Sequence, residues 1–462
     1  MPNQADRSFW AWAAVGLAGS LAVALAGPQL AGGPVRWWFD PSLGGADVAV
    51  FYAGIVAMTI AWLGIGRLSL ETRRVWIVAG LWCLPLCVGA PLFSQDAYSY
   101  LAQGTLVHLG LDPYRDTPAV LAQHGQAHVL EAVSPFWRHT TAPYGPLFLW
   151  IVSGFTGTTL VGGVLLIRAL ELVGLVLLAV FVPRLARGLG ADPARASWLV
   201  LLSPLVLLGL VAPAHNDLLM IGLLVAGVAF AIERRPLLGI AVCALAATVK
   251  LPAAVAIPFI LAAGADRRTW VRGVFVAAAV VAAVSVVSGL GLGWVSPNVF
   301  STPNKVHLAI TPATALGWTT AQLIPVGARG LESALGVVAF GLSCVLGAVL
   351  LWRTRRENMV RYLGITLIAV AVCGPAAWPW YLTWGLALLA ACPGIQDSRG
   401  LAVAVAAGAL VVKADGILAF PLHTAPVFLV LYVAVAAVWM ARTRPPVASD
   451  RRRVRSRAIV ES

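Results

Sequence analysis

Long apolar runs recur along the whole of this chain, and they constrain its fold more than any other feature. Most of them approach the roughly 20 residues that an α-helix needs to span a bilayer. Only 11% of the residues are charged, whereas soluble domains carry roughly 25%. Because lipid offers no hydrogen bonds to the backbone, such runs must form helices there. The sequence therefore predicts an all-α integral membrane protein.

We predict about fourteen membrane-spanning helices of near-bilayer length. The expected spans are 9–31, 47–66, 74–93, 164–182, 196–212, 217–232, 237–250, 252–264, 271–291, 331–352, 362–377, 380–393, 399–417 and 425–441. The first run is too long for a signal peptide and lacks a clear cleavage site, so we expect it to be retained. The spans are predicted to form a single polytopic domain, 1–441. A basic tail, 442–462, is expected to be disordered and held near anionic lipid headgroups.

Basic residues concentrate between the apolar runs and predict the orientation of the chain. The clusters are Arg67/Arg73/Arg74, Arg184/Arg187/Arg195, Arg234/Arg235, Arg267/Arg268/Arg272, Arg353/Arg355/Arg356/Arg361 and the tail from Arg442 to Arg457. Alternation through the predicted spans places all of them, with both termini, in the cytoplasm. A plasma-membrane protein with an extracytoplasmic loop at 94–163 follows. The net charge of +13 is then a topology signal, and we expect no nucleic-acid partner.

Two apolar segments do not fit simple crossings. If residues 144–156 crossed, Arg184 and its neighbours would lie outside, so this segment is predicted to be an interfacial or re-entrant helix. Residues 237–264 are broken into two short halves at Lys250-Leu251-Pro252. Irregular backbone at membrane depth is tolerated only where it lines a cavity. We therefore expect Lys250 at the outward tip of a broken helical hairpin.

Asp96 lies where an apolar helix meets the longest polar segment between apolar runs. The helix that begins there would place Asp96, Tyr100 and Gln103 on one face. An acid at this boundary can be held rigidly and partly desolvated, which suits a general base. A capping carboxylate is the alternative. His124 and His128 in the same loop are spaced as metal ligands could be, but no third ligand is evident and a solvated loop is preferred.

Other polar residues stand out at the outward ends of apolar runs. His215-Asn216-Asp217 contains more polar groups than a helix cap needs, so we favour a functional role. Lys250 has no acid near it in the sequence and is expected to meet a phosphate or a carboxylate. Arg168 and Glu171 either neutralise each other or serve the site. Two further outward stretches are 301–307, with Lys305, and 378–384, which is either an interfacial aromatic belt or a sugar platform.

These residue types indicate one chemistry, the transfer of a sugar from a polyprenyl phosphate to an acceptor hydroxyl. A carboxylate removes the hydroxyl proton as the C1–O bond breaks through an oxocarbenium-like transition state. Lys or Arg stabilises the departing phosphate, and a single in-line displacement inverts the anomeric centre. The sequence has no P-loop, GxGxxG or HExxH pattern, so ATP, NAD and zincin chemistry have no support.

Motifs in one order along the chain carry a resemblance to a known family. They are 95–104 (QDAYSYLAQG), 110–114 (GLDPY), 142–147 (APYGPL), 215–217 (HND), 248–252 (TVKLP) and 378–381 (WPWY). They resemble the motifs of actinobacterial polyprenyl-phosphomannose-dependent α-1,6-mannosyltransferases, which are GT-C-fold glycosyltransferases. The resemblance implies a GT-C fold whose long first extracytoplasmic loop carries juxtamembrane helices. It also implies decaprenyl-phosphate mannose, or a close relative, as donor and a lipomannan-type mannan glycolipid as acceptor.

Roles for individual residues follow from the chemistry and the resemblance. Asp96 is the predicted catalytic base. The predicted ligands of the donor phosphate are Lys250, Arg168 and Lys305. The predicted sugar and acceptor ligands are Gln95, Tyr98, Tyr100, Tyr144, His215, Asn216, Asp217, Trp380 and Tyr381. No cofactor and no metal are expected, with a divalent cation, which some GT-C enzymes bind, as the alternative.

The leading interpretation is an inverting α-1,6-mannosyltransferase whose partners are polyprenyl-phosphate mannose, a mannan glycolipid and membrane lipids. A GT-C enzyme for another polyprenyl-phosphate sugar, such as arabinose, is the first alternative. A polyprenyl-glycan flippase or secondary transporter is the second, because a broken hairpin at Lys250 could line a transport path. Against transport, no inverted repeat is evident, and the polar groups gather at one predicted membrane face rather than at its middle.

Overall fold

The computed structural model describes residues 4–35, 37, 42–264, 266–296, 311–324, 327–374, 377–417 and 422–443. Across these ranges the chain is helical and has no strand. The helices of the first part are α1 Gln4–Ala31, α2 Asp47–Ile65, α3 Thr72–Val88, α4 Asp96–His108, α5 Ala127–Ala132, α6 Pro146–Ser153, α7 Leu160–Gly188, α8 Pro193–Leu201 and α9 Pro204–Val206. A π turn, Leu207–Val211, continues α9.

The second part begins with α10, whose first residue, Asp217, belongs to the His215-Asn216-Asp217 cluster. Its helices are α10 Asp217–Ile232, α11 Pro236–Ala247, α12 Ala256–Ala262, α13 Arg267–Ser288, α14 Pro312–Leu323, α15 Ala328–Trp352, α16 Met359–Cys373, α17 Thr383–Leu389, α18 Arg399–Leu410 and α19 Ala425–Thr443. Short 3₁₀ turns lie at Pro118–His124, Leu251–Val255, Gly293–Val295, Pro379–Leu382 and Leu422–Thr424. The all-α prediction is confirmed.

Several helices are long and apolar enough to cross a membrane. In the part of the chain that the structure describes there are five, Asp6–Ala31, Asp47–Ile65, Leu160–Gly188, Arg267–Ser288 and Arg329–Trp352. The bent pair Pro193–Leu201 and Pro204–Val211 adds a sixth if it is one span. Six other predicted spans correspond to apolar helices of 10–17 residues, and the α-helix within the predicted span 380–393 has only 7 residues. A helix of 12 residues is roughly 18 Å long, against a hydrocarbon core of about 30 Å. The integral membrane class is confirmed, and the count of fourteen spans stays a prediction.

The predicted break in the hairpin 237–264 is present. Helix α11 ends at Ala247, Lys250 has extended backbone with φ −153° and ψ 130°, and the 3₁₀ turn Leu251–Val255 leads into α12. Pro252 lacks an N–H group and cannot continue an α-helix from α11 without losing a hydrogen bond. The break therefore follows from local sequence, and it turns the Lys250 backbone out of the helix.

The segment predicted not to cross, 144–156, forms the short helix α6, which is docked on this break. Gly145 N–H donates to Val249 O (2.9 Å) and Leu147 N–H donates to Thr248 O (3.0 Å). A Cβ atom at Gly145 would lie 2.1 Å from Thr248 O, so the two backbones approach this closely only because residue 145 is glycine. The contact fixes the long loop 94–142 and α6 against the residues that precede Lys250.

Helix α7 packs closely along α10 near the start of α10. A Cβ atom on Gly174 would lie 2.2 Å from Leu218 O, and one on Gly222 would lie 2.5 Å from Gly174 O. Small residues let helix backbones come together in this way. This crossing places Glu171 of α7 beside the first turn of α10, where its carboxylate accepts a hydrogen bond from Leu219 N–H at 3.0 Å.

Candidate active site

Asp96 is the first residue of α4 and does not act as its cap. The cap position is Gln95, and no side-chain capping hydrogen bond is present at this helix start. The Asp96 backbone N–H donates to Ser94 Oγ at 3.1 Å, and the Asp96 side chain is 21% exposed. The capping alternative is thus not supported, and the carboxylate is free to face a ligand.

Two turns lead into the site, and each contains a non-glycine residue with a left-handed backbone conformation. Phe93 has φ 64° and Ala214 has φ 58°, and such conformations cost of the order of 1–3 kcal/mol for a residue with a Cβ atom. Phe93 is held by a hydrogen bond from its N–H to Ala414 O at 2.8 Å. The turns direct the chain into Asp96 and His215, so backbone strain is placed next to the candidate catalytic groups.

His215 lies behind Asp96. Its Nε2 atom is 3.7 Å from Asp96 Oδ2, and its Nδ1 atom is 2.8 Å from Gly209 O in the π turn. Trp380 covers the imidazole, with ring centroids 4.5 Å apart. Burial lowers the pKa of His215, although the negative charges of Asp96 and Asp217 oppose this effect. The ring is therefore neutral at neutral pH.

Asp217 is the centre of a second group, which is largely buried. Lys250 Nζ donates to its Oδ2 at 2.7 Å, and Trp384 Nε1 donates to its Oδ1 at 2.6 Å. The Asp217 side chain is 1% exposed, and its position in the first turn of α10 also favours a negative charge. Lys250 thus meets a carboxylate from another helix, one of the two partners that its sequence context predicted.

Aromatic rings surround the Lys250 ammonium group. The Nζ atom lies 4.8 Å from the ring centroid of Tyr381, 5.7 Å from that of Trp384 and 5.9 Å from that of Tyr144. These are cation–π distances. The rings compensate the desolvated charge without occupying all of its three N–H donors, so Lys250 retains donor capacity beyond its bond to Asp217.

Tyr100 and Tyr144 link the loop helix α4 to this group. Their rings lie 4.9 Å apart, edge to face, and Tyr100 also packs against Phe148 of α6 at 5.0 Å. Burial chiefly, and the nearby Asp96 and Asp217 carboxylates as well, raise the pKa of both phenols. Both hydroxyl groups therefore stay protonated and able to donate hydrogen bonds at any physiological pH.

Among the described residues Arg168 does not pair with Glu171, so the alternative in which the two neutralise each other is not supported. Its guanidinium donates to three backbone carbonyls, those of Cys87 (2.6 Å), Gly89 (2.9 Å) and Ala212 (2.9 Å). The side chain is buried, and these carbonyls belong to the segments that lead into Asp96 and His215. This geometry gives Arg168 a structural role, and its predicted contact with the donor phosphate is untested.

Four predicted site residues remain, and the structure describes three of them. Gln95 Nε2 donates to Ala31 O at 3.2 Å at the end of α1. Tyr98 OH accepts a hydrogen bond from Trp37 Nε1 at 3.1 Å, and it points away from Tyr100 because residues two apart lie on opposite sides of a helix. Lys305 lies outside the described residues. Asn216 is fully buried, and neither atom of its amide has a hydrogen-bond partner among the residues that the structure describes.

Trp384 is a site residue that the sequence analysis did not single out. Its spacing of four residues from Trp380 puts the two indoles on the same side of a helical turn, and this was the available signal. The Trp378 and Trp380 rings are stacked with centroids 4.8 Å apart, so the stretch 378–384 lines the site rather than a lipid interface alone. Within the described ranges, no group of three or more His, Cys, Asp or Glu side chains could hold a metal ion.

The fold is all-helical and typical of a membrane protein. Where its apolar helices end, it brings together a carboxylate, an imidazole and an ammonium group. These features define a class, the integral membrane enzymes. Residues 10–266 match the family model described as alpha-(1->6)-mannopyranosyltransferase, N-terminal domain. Residues 305–443 match the model of the MptB C-terminal domain. The chain therefore belongs to the alpha-(1->6)-mannopyranosyltransferase family of glycosyltransferases, which confirms the predicted family and enzyme class.

Similar proteins come from several actinobacteria. Alpha-(1->6)-mannopyranosyltransferase A of Mycobacterium tuberculosis is 35% identical, over 76% of this chain and 72% of the relative. A probable alpha-(1->6)-mannopyranosyltransferase of Mycolicibacterium smegmatis is 36% identical with the same coverage. Alpha-(1->6)-mannopyranosyltransferase A of Corynebacterium glutamicum is 30% identical over 75% of this chain and 79% of the relative. No solved structure matches the chain.

Proposed function

We propose that this protein is an inverting mannosyltransferase that moves mannose from polyprenyl-phosphate mannose to an α-1,6-mannan acceptor on a glycolipid. The observation that carries the proposal is the partly exposed Asp96 carboxylate, which has no capping role and faces a buried cluster of His215, Asp217 and Lys250. The names of the similar proteins support an α-(1→6)-linked mannosyl product. Membership in a transferase family favours this reading over the transporter alternative.

In the proposed reaction, Asp96 takes the proton of the acceptor hydroxyl as that oxygen attacks C1 of mannose. The C1–O bond to phosphate breaks with inversion, and its electron pair leaves with the polyprenyl phosphate. Lys250, oriented by Asp217, donates a hydrogen bond to the departing phosphate, and the aromatic rings around its ammonium group limit its contact with water. Trp378, which is half-buried and stacks on the buried Trp380 ring, offers an apolar face to a pyranose ring.

We further propose that the site opens on the extracytoplasmic side of the plasma membrane. The basic clusters and both termini would then lie in the cytoplasm, as the positive-inside rule favours. In this arrangement residues 1–441 form one GT-C domain, residues 94–163 form its catalytic loop with α4 to α6, and residues 442–462 form the basic tail. A lipid-linked donor can reach such a site from within the bilayer.

The proposal is tested with the purified protein in detergent, polyprenyl-phosphate β-mannose and a short α-1,6-mannoside. We expect the acceptor to grow by single mannose residues, and the anomeric C1–H1 coupling constant of the product to report an α linkage. If the protein transferred arabinose from polyprenyl-phosphate arabinose and no mannose, the proposed donor would be wrong, but the proposed class of enzyme would still hold. A β-linked product would exclude a single inverting displacement, and no transfer from either donor would refute the proposal.

Replacing Lys250 by Ala is expected to weaken donor binding by about 10–100-fold, because a hydrogen bond to a charged group contributes roughly 1.5–3 kcal/mol. Acceptor binding should change much less, since the acceptor carries no phosphate at the reacting end. Dissociation constants for donor and acceptor, measured separately by calorimetry, check this. Lys413→Ala is the matched control, because the Lys413 side chain is 42% exposed and has its own carboxylate partner, Asp415, at 3.5 Å. Equal weakening of donor and acceptor would contradict the phosphate role.

A further inference from the structure

The position of His215 behind Asp96 indicates which nitrogen atom of its ring carries a hydrogen. Gly209 O can only accept a hydrogen bond, so the Nδ1 atom 2.8 Å from it must carry a hydrogen. In the neutral ring, Nε2 is then unprotonated and presents its lone pair. That Nε2 atom is buried and has no hydrogen-bond partner among the described residues. The carboxylate oxygen Oδ2 of Asp96 lies 3.7 Å from it.

We propose that His215 is a positioning residue for the catalytic base: its Nε2 accepts a hydrogen bond from Asp96 only after Asp96 has taken the proton of the acceptor hydroxyl. The inference rests on the proposed function, in which Asp96 is the base. It assigns His215 to proton handling, whereas the sequence analysis placed it among the sugar ligands.

Every proton in this step is accounted for. The acceptor O–H bond breaks, the proton moves to an Asp96 oxygen, and the new Asp96 O–H group turns to share that proton with His215 Nε2. After the product leaves, the proton returns to solvent through the exposed side of the Asp96 carboxylate, and the cycle restarts. No oxidant, reductant or further reactant is required.

The arrangement favours the transition state over the ground state. While Asp96 is ionised, the lone pair on Nε2 offers it no hydrogen bond, so both carboxylate oxygens remain available to the acceptor hydroxyl. As Asp96 gains the proton, a hydrogen bond becomes available that did not exist before. Interactions that appear only as the reaction proceeds raise kcat rather than tighten substrate binding.

The surroundings of His215 keep the ring in the required neutral form. Burial is the largest influence and lowers its pKa, Lys250 acts in the same direction, and Asp96 and Asp217 oppose it. Trp380 covers one face of the ring without charge. At acidic pH the ring nevertheless gains a proton, Nε2–H then donates to the ionised Asp96, and the base is occupied. Activity is therefore expected to fall as pH decreases through the lowered pKa of His215.

Two substitutions separate proton handling from a structural role. His215→Asn retains an N–H donor in the place of Nδ1, facing Gly209 O, and removes Nε2. His215→Gln places a side-chain amide near the position of Nε2, where its oxygen can still accept a hydrogen bond from Asp96 but cannot be protonated at ordinary pH, and it loses the Nδ1 contact with Gly209 O. His124→Asn is the matched control, because His124 is an exposed histidine whose Nδ1 atom contacts Val120 O at 3.0 Å.

We expect kcat to fall about 10–100-fold in His215→Asn and by less in His215→Gln, with the acceptor KM within about twofold of wild type and the acid limb of the pH–rate profile displaced in both variants. The control should keep wild-type values. Wild-type kcat and an unchanged acid limb in His215→Asn would overturn the inference and leave His215 a structural residue. A raised KM with an unchanged pH profile would overturn it in favour of sugar binding.

A measurement on the wild-type protein keeps the inference testable if neither variant folds. The ¹⁵N chemical shifts of the His215 ring, assigned in detergent, should report a protonated Nδ1 and an unprotonated Nε2 at pH 7. A protonated Nε2 at that pH would refute the inference. This measurement needs no substrate, so failure of the inference is distinguishable from failure of the proposed function, which would appear as absent transfer by the wild-type protein.

Discussion

Mannosyl transfer is expected to fall by roughly 10²–10⁴-fold when Asp96 is replaced by Asn, which is the contribution of a well-placed general base. Asn has nearly the shape of Asp but cannot accept a proton. The Asp96 side chain is 21% exposed and forms no cap bond, so folding should hardly change. Initial rates with polyprenyl-phosphate mannose and a short α-1,6-mannoside measure the effect, and the thermal unfolding midpoint in detergent checks the fold.

Asp397→Asn is a suitable comparison for this variant. Asp397 is 75% exposed and pairs with Arg195 at 2.8 Å, so the substitution removes the same charge without touching the site. It should transfer mannose at the wild-type rate. Undiminished transfer by Asp96→Asn would remove Asp96 as the base, and a large loss in both variants would point to a general effect of charge.

Loss of the Asp217 charge is expected to produce the largest change in stability, about 3–5 kcal/mol. Asp217→Asn would leave the Lys250 ammonium buried without an anion and would weaken the bond from Trp384 Nε1. Removing one partner of a buried ion pair costs more than removing both, because an uncompensated charge remains. Denaturant unfolding in detergent, followed by tryptophan fluorescence, measures the change relative to wild type.

The double variant Asp217→Asn/Lys250→Met distinguishes this explanation from a simple loss of hydrogen bonds. It should be more stable than Asp217→Asn alone, since no unpaired charge is left. Asp415→Asn provides the exposed counterpart, with an expected effect below about 1 kcal/mol, as is usual for surface pairs. If Asp217→Asn were as mild as Asp415→Asn, the buried pair would not stabilise the fold.

Much of the local structure could be predicted because it depends on residues that are close in sequence. Apolar runs became helices, and the break before Pro252 followed from the missing N–H of proline. The segment that forms α6 was expected to be a helix because it is apolar. It was expected not to cross the membrane because a crossing would have placed Arg184 and its neighbours on the extracytoplasmic side. The candidate site residues Asp96, His215, Asp217 and Lys250 stood out as polar groups at the ends of apolar segments, where burial makes them expensive unless they serve a function.

The partners of these residues could not be predicted in the same way. Arg168 was expected beside Glu171, three residues away, but it binds carbonyls 79, 81 and 44 residues distant. Trp384 reaches Asp217 across 167 residues, and Lys250 reaches it across 33. Helical spacing describes neighbours on one helix, whereas these contacts depend on how separate helices pack.

By itself the sequence determined the all-helical membrane class, the break at Lys250 and the identity of the polar residues at the ends of the helices. Hydropathy, charge and proline act locally along the chain, so a single sequence is enough to predict the features that depend on them. Only the tertiary structure decided that Nε2 of His215 faces Asp96 and that Lys250 pairs with Asp217. Those contacts require the close approach of α7 to α10 at Gly174 and of the start of α6 to Thr248 at Gly145. Backbone packing between distant segments leaves no periodic signal in the sequence.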